Sequence, residues 1–86
     1  MHDIPLTVLN SSVFVFDARG IAKRFRHAAI FGALAALRPG EVMRFVNDHD
    51  PLPLLNQIDS HFGNHVEMSY RRRDTGEVVI DFLITG

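Results

Sequence analysis

Five residues in the middle of this chain, Asn47-Asp48-His49-Asp50-Pro51, separate two apolar runs of different character. Residues 41–46 ahead of them are rich in β-branched and aromatic side chains, as strands are. Behind them, Leu52, Leu55, Ile58 and Phe62 recur at helical spacing over residues 52–62. A strand must therefore end and a helix begin within this short run. Asp50 is placed to cap the helix, and Pro51 suits its first turn, where a missing N–H costs nothing. Asp48 and His49 are then held just outside the cap.

The same reading extends in both directions. Val13-Phe14-Val15-Phe16-Asp17 is a short strand, and Ala18-Arg19-Gly20 is a tight turn out of it, with Gly20 supplying the backbone freedom. Residues 21–26 are a basic connector. Residues 27–38 form a helix, with Ile30, Phe31, Leu34 and Leu37 on one side and Pro39-Gly40 to stop it. Gly63-Asn64 suits the end of the second helix. Residues 65–72 alternate as a strand, with Val66, Met68 and Tyr70 on one face. Asp74-Thr75-Gly76 is a hairpin turn, and Val78, Ile80, Phe82 and Ile84 are the inward face of the last strand.

The order β-α-β-α-β-β predicts an α/β two-layer sandwich. It has a four-stranded mixed sheet, the first two strands parallel through a right-handed crossover, and two helices on one face. Residues 13–86 make one domain, and residues 1–12 are a leader or an extra edge strand. The other sheet face is more polar, although Val79 and Leu83 flank Asp81 there. Scattered surface apolar residues are the simpler account of that pair, and a homodimer contact through the open sheet face is the other.

Composition excludes more than it selects. The 86 residues leave room for one modest core, and a net charge of −1 gives no global drive toward nucleic acid or anionic lipid. Cysteine is absent, which removes disulfides, thiolate ligands and cysteine nucleophiles, and fits a reducing compartment. Residues 1–10 lack the charged head and apolar stretch of a signal peptide. The most apolar segment, residues 28–37, is far shorter than the ~20 residues that span a bilayer. The expectation is a cytoplasmic protein without a membrane partner.

Ligand sites of open α/β sheets lie outside the carboxyl ends of the parallel strands. Asp17, Arg19, His27, Asp48, His49 and Asp50 are therefore expected to converge, with two helix N-termini favouring anions there. The candidate ligand-binding set is Arg19, His27, Asp48, His49 and Asp50. A metal reading takes His27 and His49 with Asp48 as ligands for a divalent transition metal. The simpler account has Asp50 capping the helix, Asp48 paired with Arg19, and both histidines solvated or hydrogen-bonded; it is preferred. An Asp–His pair can serve as a general base, but no nucleophile is placed near this edge, so no catalytic residue is assigned. A third reading is an RNA-binding module through two basic patches, Lys23, Arg24 and Arg26 around Phe25, and Arg71-Arg72-Arg73. Acidic residues outnumber basic ones overall, which favours solvated charges instead.

Three stretches then suggest a family: Phe16-Asp17-Ala18-Arg19-Gly20-Ile21, Leu37-Arg38-Pro39-Gly40-Glu41, and Val46-Asn47-Asp48-His49-Asp50-Pro51. In this order they resemble the bacterial domain-of-unknown-function family 2249, related to the TusA/SirA-like proteins, over nearly the whole chain. The resemblance implies the same two-layer fold. TusA-like sulfur carriers place a Cys-Pro-x-Pro motif at the start of the first helix, where this chain reads Ala22-Lys23-Arg24-Phe25-Arg26-His27. Cysteine-dependent sulfur transfer therefore does not carry over. The resemblance implies a small non-catalytic accessory or binding domain linked to redox or nitrogen-oxide metabolism. Its implied partner is a hemerythrin-like, cupin-like or other redox protein.

Overall fold

The computed structural model describes residues 12–86. The leader or extra edge strand expected at residues 1–12 falls, apart from Ser12, outside the described residues. Strand β1 (Val13–Asp17) leads through a 3-10 turn (Ala18–Gly20) to helix α1 (Lys23–Ala36). Strand β2 (Val42–Asn47) and helix α2 (Leu52–Phe62) follow. A second 3-10 turn (Gly63–His65) precedes the hairpin of β3 (Val66–Asp74) and β4 (Glu77–Ile84). The sheet order is β1-β2-β4-β3, with β1 and β2 parallel and the other neighbours antiparallel.

Alternation explains the layers. Met43, Phe45 and Asn47 of β2 and Val78, Ile80, Phe82 and Ile84 of β4 are buried, while their neighbours in each strand are only half-buried. Ile30 and Leu34 of α1 and Leu55 and Ile58 of α2 join the same core, so both helices cover that one face. Each such side chain, fully buried, contributes about 1.5–3 kcal/mol. Met68 and Tyr70 share the face, paired with Phe82 and Ile80, yet each stays 38% exposed. Strand β3 lies at the sheet edge, so its inward side chains are covered on one side only.

Three expectations need correction. Helix α1 begins at Lys23, not at residue 27, so most of the expected connector is its first turn. It ends at Ala36, where Leu37 is already extended. Gly20 does not need its freedom, since positive φ occurs only at Gly40, Gly63 and Gly76 among the described residues. The Asp17 carboxylate makes that turn instead, accepting the N–H of Arg19 at 3.0 Å. Strand β3 runs on to Asp74 and carries a register shift between Tyr70 and Arg72. One residue, Arg71, is extra there. A bulge of this kind puts two successive residues opposite one, and the strand's inside–outside alternation is reset.

Candidate ligand-binding site

A cavity of about 300 Å³ opens where β2 ends and both helices begin. Its polar wall is Lys23, Arg26 and His27 from α1 with Asn47 and His49 from the β2–α2 junction and Gln57 from α2. Its apolar floor is Ile30, Phe45, Pro51, Pro53 and Leu54. His27 and His49 both line this cavity, at the end of the parallel strands β1 and β2. Among the described residues, no carboxylate lines this cavity.

The wall is held by a chain of hydrogen bonds. Arg26 donates from Nε to the Ile21 carbonyl at 2.8 Å and from Nη1 to Asn47 Oδ1 at 3.4 Å. Asn47, only 3% exposed, donates from Nδ2 to the His49 carbonyl at 3.1 Å. These bonds tie the first turn of α1 to the loop before α2. The His27 ring stacks on Phe31 with centroids 4.3 Å apart, so packing along the helix fixes its orientation. Lys23 has no ion-pair partner among the described residues.

The first turn of α1 is electrically unusual. Ala22 offers no side-chain cap, no acidic residue is present, and Lys23, Arg24 and Arg26 stack positive charge on the positive end of the helix dipole. The first turn of α2 likewise has neither a side-chain cap nor an acid. Asp50 therefore does not cap α2, contrary to expectation. Pro51 occupies the cap position itself and leaves Asp50 one residue too early.

Asp50 instead reaches across to β3. Tyr70 Oη donates to its Oδ1 at 2.6 Å, and Arg73 donates from Nε to its Oδ2 at 2.7 Å. The Arg73 guanidinium lies over the Tyr70 ring, 4.4 Å from its centroid. The Tyr70 hydroxyl and the Arg73 guanidinium hold the Asp50 carboxyl below the usual carboxylate range. Burial and the Asp50 charge push the Tyr70 hydroxyl up. The bulge makes this clamp, because it lets Tyr70 and Arg73 face the same side although three positions apart.

The remaining candidates fall elsewhere. Asp48, His49 and Asp50 line a second cavity of about 370 Å³ with Arg73 and the hairpin turn. Asp48 does not pair with Arg19. Its Oδ1 lies 2.7 Å from His49 Nδ1, and this contact lowers the Asp48 carboxyl. A carboxylate only accepts, so Nδ1 carries the proton and Nε2 has the lone pair when the ring is neutral. Arg19 lines neither cavity. It forms a two-pronged pair with Asp17, at 2.9 and 2.7 Å, which holds the Asp17 carboxyl down to about 2. No three His, Cys, Asp or Glu side chains converge as a metal-holding group among the described residues, so His27, His49 and Asp48 do not assemble as a ligand set.

The basic patches divide. Lys23 and Arg26 line the cavity, and Arg24 stacks on the exposed Phe25 at 4.7 Å. Arg71, Arg72 and Arg73 are all engaged by carboxylates: Arg71 by Asp81, Arg72 by Asp74 and Glu77, and Arg73 by Asp50. Sequence reasoning missed Asn47 and Tyr70 as site residues and assigned Lys23 and Arg26 to a different ligand. Lys23 and Arg26 both lie between Arg19 and His27, which are expected at this edge, but the sequence reads there as a connector rather than as the first turn of α1.

A two-layer α/β domain with a cationic cavity at the carboxyl end of its parallel strand pair is the class these features define. The chain belongs to the family described as uncharacterized conserved protein (DUF2249), whose model matches residues 15–83. No curated protein and no solved structure matches it. No helix among the described residues is long and apolar enough to cross a membrane.

Proposed function

We propose that this protein is a small non-catalytic binding domain whose ligand enters the cavity between α1, β2 and α2. The observation that carries the reading is the cavity's make-up: cationic side chains above an apolar floor, at the strand edge where open α/β sheets bind their ligands. Neighbouring bonds pre-organise it, through Arg26, Asn47 and the Asp50 clamp. A fragment screen read by amide chemical shifts should perturb residues 23–30 and 45–54 together. Perturbations gathered on the open sheet face would overturn the assignment.

The kinship with the TusA/SirA-like proteins belongs to the same proposal. It is supported by the element order and by the Asp17-Ala18-Arg19-Gly20 turn. On the family likeness we place the domain in the bacterial cytoplasm, as an accessory to a hemerythrin-like, cupin-like or other redox protein in redox or nitrogen-oxide metabolism. Neither alternative gains an observation of its own. Among the described residues the metal reading has no group of three His, Cys, Asp or Glu side chains to rest on, and the second basic patch is engaged by carboxylates.

A further inference from the structure

Resting on the binding reading above, we infer that the ligand is a small organic carboxylate: one anionic head on an apolar body. The head is selected by Lys23 and Arg26. Both line the cavity, and among the described residues no carboxylate lines it with them. Arg26 spends Nε on the Ile21 carbonyl and Nη1 on a long 3.4 Å contact to Asn47. A guanidinium has five N–H donors, so the others remain for a ligand. Charge-assisted bonds to a carboxylate are the strong ones, and a planar guanidinium matches its geometry. A cationic head would be repelled by Lys23 and Arg26, and a neutral head would forgo the charge-assisted bonds.

The body is selected by the accessible apolar surface of Leu54 and Pro53, backed by the buried Ile30, Phe45 and Pro51. Ile30 and Phe45 are each 1% exposed, so the floor is rigid core rather than loose surface. An inorganic anion would meet Lys23 and Arg26 but leave this floor to water. At about 300 Å³ the cavity stands at the small end of ligand sites, which suits a single ring or a short branched chain rather than a nucleotide.

The test uses three probes on the whole chain: benzoate, benzyl alcohol and inorganic phosphate, titrated by amide chemical shifts at residues 23–30 and 45–54. Benzoate should bind at least about tenfold more tightly than either of the others, the order expected for one charge-assisted hydrogen bond. Lys23→Gln, at a side chain with no partner to lose, should weaken benzoate about tenfold and leave benzyl alcohol unchanged. Arg26→Lys keeps the charge but loses the fork and should weaken benzoate as well. Benzyl alcohol binding as well as benzoate would overturn the anionic head while the cavity reading stands. Phosphate binding as well as benzoate would overturn the apolar body. No probe shifting the cavity residues would overturn both this inference and the binding reading.

Discussion

The open face of the sheet and the cavity at the end of its parallel strands treat their positive charges differently. On the open face a line of residues crosses the sheet, Val15, Arg44, Asp81 and Ser69, and the charges in it are matched. Arg44 donates to both Asp81 oxygens at 2.9 and 3.1 Å, and Arg71 approaches Asp81 from β3 at 3.5 Å. Arg72 is held between Asp74 and Glu77. At the cavity, Lys23 has no ion-pair partner among the described residues, and Arg26 has only the through-space pull of Asp48, which does not line the cavity. The protein has acids enough, ten against nine lysines and arginines, so the omission is local. Charges that stabilise the fold are paired within it; charges left without a counter-ion in a cavity are directed at something outside it.

The comparison breaks most readily at Asp81, whose side chain is 14% exposed. Asp81→Ala leaves Arg44 and Arg71 close together without their shared carboxylate, and should cost about 2 kcal/mol in chemical denaturation. A loss within about 0.5 kcal/mol, the usual range for surface changes, would make the open-face pairs ornamental.

Tyr70→Phe tests the clamp that joins the two regions, and should cost about 1 kcal/mol, one hydrogen bond. The effect is pH-dependent with a definite sign. The folded-state Asp50 carboxyl is lowered relative to its ordinary value, with the Tyr70 hydroxyl as the largest cause. Its contribution is thus fully present above the ordinary carboxylate range and is lost as pH falls through the lowered folded value. Melting temperatures of wild type and variant should therefore converge toward acid. A gap that stays constant would remove the Asp50 carboxylate from the account.

Lys23→Gln is the smallest expected effect and the sharpest contrast. Unfolding free energy should stay within about 0.5 kcal/mol of wild type, because no bond is lost. A cost equal to that of Asp81→Ala would show Lys23 to be structural, and the distinction between the open face and the cavity would fail.

Helix α2 was legible because its apolar spacing is bounded by Pro51 and Gly63, and strand β4 because it alternates cleanly. The start of α1 was not, since Ala22 is no capping residue and a basic first turn runs against the dipole. That misreading hid the place of Lys23 and Arg26 in the site. The partners of Asp50 were hidden for another reason. Arg71, Arg72 and Arg73 are chemically identical, so no pattern could mark where the strand breaks its alternation. Position relative to the bulge, not residue type, decides which arginine meets which carboxylate.

The extra residue at Arg71 makes the hairpin a measuring device. In an unbroken strand, positions of equal parity share a side, so Tyr70 would be matched by Arg72 and Arg73 would turn to the open face. The single added residue reverses that assignment for the rest of the strand. It delivers Arg73 to a carboxylate 23 positions earlier in the chain. Removing Arg71 would restore regular alternation from Tyr70 with Arg72 and Arg73 on their present sides, whereas keeping all three without the bulge would turn Arg73 away from Asp50. The geometry of the cavity wall is in this sense counted out, residue by residue, at the opposite edge of the sheet.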